Sequence, residues 1–167
     1  AERRRRERAR LLGDDGHPGG GGRGNAGVAA LVNLTKNSIG YVELSYAISN
    51  NILYTQMVNK AGKTLKANAD SVQSAMNDYA DSFSDKLTNT IVDGSGEGSW
   101  PIAGYTYLII HMQNMQDPVK AQKLLEYIEW TLTDASAAQK AAKLGYSTLP
   151  EKVRDLVIAK LKEVTVN

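Results

Sequence analysis

Apolar residues recur along this chain with two periods, and these periods predict alternating helices and strands. In several stretches an apolar residue occupies every third or fourth position, which is typical of a helix with one buried face. Other stretches are short, rich in aromatic and β-branched residues and bounded by turn-forming residues, as strands are. The predicted helices are about 26–34, 44–50, 70–79, 118–132, 135–144 and 151–163, and the predicted strands are 38–43, 54–58, 64–65 and 105–111. Because the two kinds of element alternate, we expect an α/β fold.

Residues that satisfy free backbone groups mark several helix ends. Asp117 followed by Pro118 predicts a helix start, because aspartate accepts hydrogen bonds from the first turn and proline has no N–H to leave unpaired there. Gly145 predicts a helix end, since glycine readily takes the left-handed conformation that closes a helix. Thr148 and Glu151 have the spacing of a capping box for the last helix.

The first residues differ in composition from the rest of the chain. Six of the eight arginines lie between Arg3 and Arg10, and eight of the fifteen glycines lie between Gly13 and Gly27. Residues 1–16 have almost no apolar face, so we expect an arginine-rich tail that is disordered or misread. A basic arm for nucleic acid is the alternative, but four acidic residues dilute the run and no aromatic residue interrupts it. We therefore expect no nucleic-acid partner.

The chain lacks the patterns on which most catalytic and metal sites depend. It has no cysteine, and its two histidines, His17 and His111, have no partner at a metal-ligand spacing. The G-x-S-x-G motif of serine hydrolases is absent. The formal net charge of +2 favours neither nucleic acid nor an anionic membrane, and no apolar run is long enough to span a bilayer. We expect no enzyme activity, no catalytic residue, no metal ligand and no cofactor.

One glycine pattern has the form of an anion-binding loop. Gly22 to Gly27 reads G-x-G-x-x-G ahead of a helix for which Asn25 is the expected cap, and free N–H groups at such an end attract anions. A dinucleotide site needs a strand directly before the loop, which residues 13–21 do not supply, and Gly27 is not followed by the Lys-[Ser/Thr] pair that completes a P-loop. We expect an ordinary junction between a loop and a helix.

Three further features have both a functional and a structural interpretation, and the structural one is preferred for each. The segment from Asp93 to Ser99 resembles a calcium loop in composition but lacks the EF-hand order, so it is expected to be an open connector. Glu43 lies in an apolar segment and is expected to be a buried carboxylate with a hydrogen-bond donor. Trp130 is expected to pack its helix, and Trp100 to cover a crossing of the chain.

Several ordered motifs resemble those of the phosphate-binding proteins of ABC phosphate importers. GNAGVA at residues 24–29 is followed by SIGYVE at residues 38–43 and by Tyr46-Ala47, which is similar to the family pattern GNxGVA…GxIGYVExxYA. The resemblance continues through the turn at 60–63, through Trp100-Pro101-Ile102 and through the Y-x-x-L-P element at 146–150. These motifs cover about residues 23–165, and their number and order make the resemblance specific.

The resemblance implies a periplasmic-binding-protein type II fold, in which two lobes close on inorganic phosphate in the manner of a venus flytrap. Residues 17–99 would form part of the second lobe, Trp100-Pro101 would mark the return crossing, and residues 100–167 would form the C-terminal part of the first lobe. Both lobes would be incomplete, because the match corresponds to the C-terminal portion of the family. In the family the phosphate is held by groups upstream of GNxGVA, so no phosphate-binding residue is assigned to this chain.

The function implied is that of the solute-binding component that captures inorganic phosphate for import and presents it to an ABC permease in the membrane. The location implied is periplasmic or extracellular, with a membrane-anchored lipoprotein as one form. This chain is expected to be a C-terminal fragment that lacks the residues gripping the ligand. The alternative is a structural or adhesive extracellular protein of the same fold with no role in transport. A hydrolase of phosphate esters is disfavoured, because no metal cluster or nucleophile motif is present.

Overall fold

A computed structural model of the chain describes residues 21–113 and 117–165. These residues form helices and a two-stranded antiparallel hairpin, so the predicted mixture of helix and strand is confirmed. No helix among them is long and apolar enough to cross a membrane. The helices are α1 Gly24–Leu34, α2 Leu44–Ser49, α3 Ala69–Asp78, α4 Pro118–Thr133, α5 Ala135–Lys143 and α6 Glu151–Leu161, and the strands are β1 Gln56–Val58 and β2 Thr64–Lys66.

The chain divides into two compact units, residues 1–54 and 55–167. The predicted lobe boundary between Ser99 and Trp100 lies inside the second unit. That boundary concerns the lobes of a larger protein, and it stays a prediction. The predicted tail at 1–16 and the histidine His17 lie outside the described residues.

In the first unit, the described residues 21–54 form α1, α2 and the segment between them. The two helices pack on each other. Only Ala29 and Ala47 are buried among these residues, while Ile39 and Tyr41 are almost fully exposed. Because burial of large apolar side chains is the main stabilising contribution in folding, this unit has little core of its own.

The core of the second unit forms on one face of α3. Ala75 and Met76 cluster with Ile91, Trp100 and Ala103, and side chains of the hairpin pack at the edge of this cluster. Burial of a side chain the size of Ile91 contributes about 1.5–3 kcal/mol. The Trp100 N–H also donates to the Ser71 carbonyl oxygen at 3.0 Å. Trp100 is therefore a core residue that joins α3 to the chain that follows residue 99.

The hairpin predicted around the Lys60–Lys63 turn is confirmed. Strands β1 and β2 are antiparallel, with Met57 opposite Leu65. Gly62 has a φ of 76°, a left-handed conformation that glycine adopts without steric cost. The hairpin places Asn59, the residue that follows β1, beside the loop at 93–99.

Local signals account for three helix ends, two of which, at Asp117 and Gly145, were predicted. The Asn68 side chain accepts from the Ser71 N–H in a capping box at the start of α3. Asp117 caps α4 by accepting from the Lys120 N–H at 3.1 Å, with proline in the first turn. After α5, Gly145 has a φ of 85°, and the next N–H returns to the Ala141 carbonyl at 2.9 Å, which is the Schellman arrangement.

The capping box predicted from Thr148 and Glu151 is wrong. The cap residue of α6 is Pro150, and no side chain there accepts a hydrogen bond from the helix. Since the helix begins at Glu151, Thr148 lies two residues too early to act as its cap. Val153 is buried in α6, whereas Leu156 is 41% exposed.

The strands predicted at 38–43 and 105–111 are not found as strands. A strand is defined by hydrogen bonds to a neighbour, and no strand among the described residues pairs with either segment. Ile109 is 96% exposed, although the run from Tyr105 to Ile110 has the apolar composition of a strand covered on both faces.

Candidate functional site

The G-x-G-x-x-G pattern forms a close backbone crossing at the start of α1. A Cβ atom built on Gly22 would lie 2.4 Å from the backbone nitrogen of Val28 and 2.5 Å from the carbonyl carbon of Gly27. No side chain fits at such distances, so the chain before α1 lies directly against the helix. Gly24 begins α1 with a φ of 66°, which favours glycine. Packing and backbone conformation therefore account for the three glycines, as expected for a loop-to-helix junction.

The second motif, SIGYVE at residues 38–43, lies against the same helix. A Cβ atom on Gly40 would lie 2.8 Å from Cγ2 of Val32 and 3.0 Å from Cγ1 of Val28. The Glu43 N–H donates to Oδ1 of Asn25 at 3.1 Å. The two motifs that carry the family resemblance thus contact each other within the first unit.

These contacts correct the roles predicted for Asn25 and Glu43. Arg23 is the cap residue of α1, and no side chain caps that helix, so Asn25 lies inside α1 and is not its cap. Glu43 is exposed rather than buried, and its Oε1 accepts from the Ser45 hydroxyl at 3.1 Å. The prediction of a buried carboxylate failed because no strand beside this segment covers it in the described part of the chain.

The other candidates from the sequence do not assemble into a site. His111 is exposed. The Trp130 ring is partly exposed and stacks on Tyr127 of the same helix, with 5.9 Å between ring centroids. Within residues 21–113 and 117–165, no group of three or more histidine, aspartate or glutamate side chains could hold a metal ion.

Two pKa shifts in the second unit have structural causes. Asp134 caps α5, and the hydroxyl of Ser136, followed by the Ala137 N–H, lowers the pKa of its carboxyl group. Burial raises the pKa of Tyr105 to about 12, and the neighbouring Tyr107 adds to the rise. The buried Tyr105 hydroxyl has no hydrogen-bond partner among the described residues.

Sequence reasoning missed two residues that bind the loop at 93–99. Nδ2 of Asn59 donates to the carbonyl oxygens of Gly96 at 3.0 Å and Ser99 at 3.2 Å. Oδ2 of Asp78 accepts from the Gly96 N–H at 2.8 Å and from the Ser99 hydroxyl at 2.6 Å. The loop is therefore bound on two sides and is not the open connector that was predicted. No local signal reveals these contacts, because they join residues 18 to 40 positions apart.

Comparison with known proteins shows that the chain is similar to a class of binding proteins. Over about four fifths of its length it is similar to phosphate-binding proteins, which confirms the resemblance drawn from the motifs. One is the phosphate-binding protein PstS of Xylella fastidiosa, 35% identical over 134 residues that make up 80% of this chain and 36% of that protein. Another is PstS of Pasteurella multocida, 31% identical over 144 residues, which are 86% of this chain and 41% of that protein. The chain thus spans about two fifths of the length of these relatives.

A third relative is a protein of a different kind. It is a candidate serine/threonine-protein kinase/receptor of Acanthamoeba polyphaga mimivirus, 30% identical over 138 residues. The match covers 81% of this chain and 8% of that protein, so a similar segment occurs inside a much longer polypeptide. No family model matches the chain.

Proposed function

We propose that this chain is part of the solute-binding component of an ABC phosphate importer, a protein that captures inorganic phosphate for import. The observation that carries the proposal is the similarity to PstS proteins over four fifths of the chain. The proposed fold of the whole protein is a two-lobed venus flytrap, with residues 17–99 in the second lobe and residues 100–167 in the first. Its partner would be the permease in the membrane, and its location periplasmic or extracellular.

We further propose that the described residues supply the scaffold of that protein and not the groups that bind phosphate. An anion is held most strongly by N–H and hydroxyl donors that converge on it. At α1, the chain at Gly22 lies directly against the helix backbone at Gly27 and Val28. At the loop 93–99, the N–H of Gly96 and the hydroxyl of Ser99 already donate to Asp78. We therefore expect the segment alone to bind no phosphate.

A hybrid protein tests this proposal. In the PstS of Xylella fastidiosa, the segment matched by this chain is replaced by the corresponding residues of this chain, and phosphate binding is measured by calorimetry. We expect the hybrid to bind phosphate within about tenfold of the unmodified relative, a change of about 1.4 kcal/mol, because the replaced part is scaffold. The unmodified relative is the matched control. A hybrid that fails to fold, or that folds and binds no phosphate, would overturn the proposal.

The second candidate is a structural or adhesive extracellular protein of the same fold that takes no part in transport. The mimivirus relative favours it, because a similar segment occurs there in a protein whose name does not refer to phosphate. The genes beside this one separate the candidates. Adjacent permease and ATPase genes support an importer, whereas their absence together with a hybrid that does not bind phosphate supports the structural protein.

A further inference from the structure

The loop at residues 93–99, which we name the latch loop, is closed at its base. Val92 and Ile102 form an isolated antiparallel bridge. Next to it, the Asp93 N–H donates to the Pro101 carbonyl oxygen at 2.9 Å. The two ends of the loop therefore meet directly beside the buried ring of Trp100.

On one side of the latch loop, the amide of Asn59 binds backbone carbonyl groups. Its Nδ2 lies 3.0 Å from the carbonyl oxygens of Gly96 and Glu97 and 3.2 Å from that of Ser99. Its Oδ1 accepts from the Lys63 N–H at 2.9 Å, which ties the amide to the hairpin. Asn59 is only 5% exposed, so these carbonyl groups exchange their hydrogen bonds with water for bonds to one buried side chain.

On the other side, the loop directs donors at the carboxylate of Asp78. The Gly96 N–H and the Ser99 hydroxyl both donate to Oδ2, at 2.8 Å and 2.6 Å. The Ser74 hydroxyl lies 3.2 Å from that of Ser99. Since the hydrogen of Ser99 is directed at the carboxylate, Ser74 is the donor in that pair. A backbone N–H and a hydroxyl supported by a second hydroxyl are donors of the kind that bind small anions.

The space around the carboxylate leaves no room for a side chain at Gly94 or at Gly96. A Cβ atom on Gly94 would lie 2.3 Å from Oδ2 of Asp78, and one on Gly96 would lie 2.7 Å from its Oδ1. The backbone therefore approaches the carboxylate as closely as it would approach a bound anion. Ser99 is 0% exposed, whereas Asp78 lies at the surface, so the carboxylate enters the loop from the solvent side.

We infer that the latch loop is an anion-binding loop whose ligand in the native protein is the carboxylate of Asp78, and that a small carboxylate such as formate can take its place. The loop resembles a calcium loop in composition, but its backbone binds an anion rather than a cation. The inference does not depend on phosphate transport. It predicts that this donor-rich loop binds no external anion in the native chain.

Chemical rescue tests the inference in the full chain. Asp78→Ala removes the carboxylate and opens the donors to solvent, so hydrogen exchange of the Gly96 amide, measured by NMR, should become about 10- to 100-fold faster, as expected for loss of a charge-assisted hydrogen bond. Added sodium formate should slow this exchange again with a saturable dependence on concentration. Sodium chloride at equal ionic strength should not. Formate without effect on the Asp78→Ala variant would overturn the inference.

Asn59→Ala is the matched control, because it loosens the same loop from the carbonyl side. Its exchange at Gly96 should also become faster, but formate should not slow it, since the carboxylate of Asp78 still fills the site. An equal effect of formate on both variants would show a general salt effect and would overturn the inference. If Asp78→Ala does not fold, Ser99→Ala removes one donor and leaves the carboxylate. Exchange at Gly96 should then become about 3- to 10-fold faster by loss of hydrogen bonding, and an unchanged rate would contradict the inference.

Discussion

Gly22, Gly27 and Gly40 each lie where an added side chain would meet the backbone or the valine side chains of α1. Gly27 and Gly40 belong to the motif pair that links this chain to phosphate-binding proteins, and these contacts explain why both positions are glycine. At this scale the motif is explained by close packing between the start of α1 and the segment 38–43. The donors that resemble an anion site are instead the Gly96 N–H and the Ser99 hydroxyl, which bind Asp78 and lie outside every motif used to recognise the family.

Gly22→Ala tests the close crossing at α1. The new Cβ atom would lie 2.4 Å from the Val28 nitrogen, so backbone must move, and we expect destabilisation of the helix by about 1–3 kcal/mol, as in an overpacked site. Hydrogen exchange of the α1 amides measures this change. Gly21→Ala is the matched control, because nothing lies within 4 Å of its Cβ position. Equal protection of α1 in the two variants would show that the crossing is absent in solution.

The phenol of Tyr105 predicts a dependence of stability on alkaline pH. Burial raises its pKa from 10.0 to about 12 in the folded chain, so the unfolded chain loses this proton first as pH rises. The stabilising contribution is complete below pH 10 and is lost between about pH 10 and pH 12. A spectrophotometric titration of phenolate should show one tyrosine ionising near pH 12 that Tyr105→Phe removes. If the Tyr105→Phe variant still shows the ionisation near pH 12, the assignment of that ionisation to Tyr105 is wrong.

At the scale of elements, a prediction succeeded or failed according to how far along the sequence the hydrogen-bond partners of the element lie. The starts of α3 and α4 and the end of α5 were predictable, because Asn68, Asp117 and Gly145 act within a few residues. The segments 38–43 and 105–111 were mispredicted as strands, because composition shows the propensity of a strand and not the presence of its neighbour. The contacts of the latch loop were unpredictable for the same reason, since they join residues distant in sequence.

The segment 105–111 leads to a prediction about self-association. An exposed apolar run of high strand propensity, without proline or charge, favours pairing between chains. Ile109→Lys places a charge at a position that is 96% exposed, so it should lower light scattering while changing the free energy of unfolding by less than about 0.5 kcal/mol. Leu34→Lys is the control, because Leu34 is 83% exposed but lies on a helix. An equal decrease in scattering for both variants would show that general surface hydrophobicity, and not this segment, drives association.

At the scale of the whole molecule, the chain has two compact units and spans about two fifths of the length of the PstS proteins it matches. Similarity extends over most of the chain, while the anion-binding donors found in it are engaged by its own carboxylate. Sequence reasoning identified the related proteins from the motifs and assigned no phosphate ligand to any position. From these two facts we propose that this segment is scaffold and that the residues that bind phosphate lie outside it.

Calorimetric titration of the isolated chain with inorganic phosphate tests this proposal most directly. The PstS of Xylella fastidiosa, titrated under the same conditions, provides the positive control, and sulfate provides the control for nonspecific anion effects. We predict no saturable heat for this chain, because the donors of the latch loop are engaged by the carboxylate of Asp78 and the resemblance places the phosphate-binding groups upstream of the matched segment. Saturable binding of phosphate with sub-micromolar affinity, at one site per chain, would contradict the account.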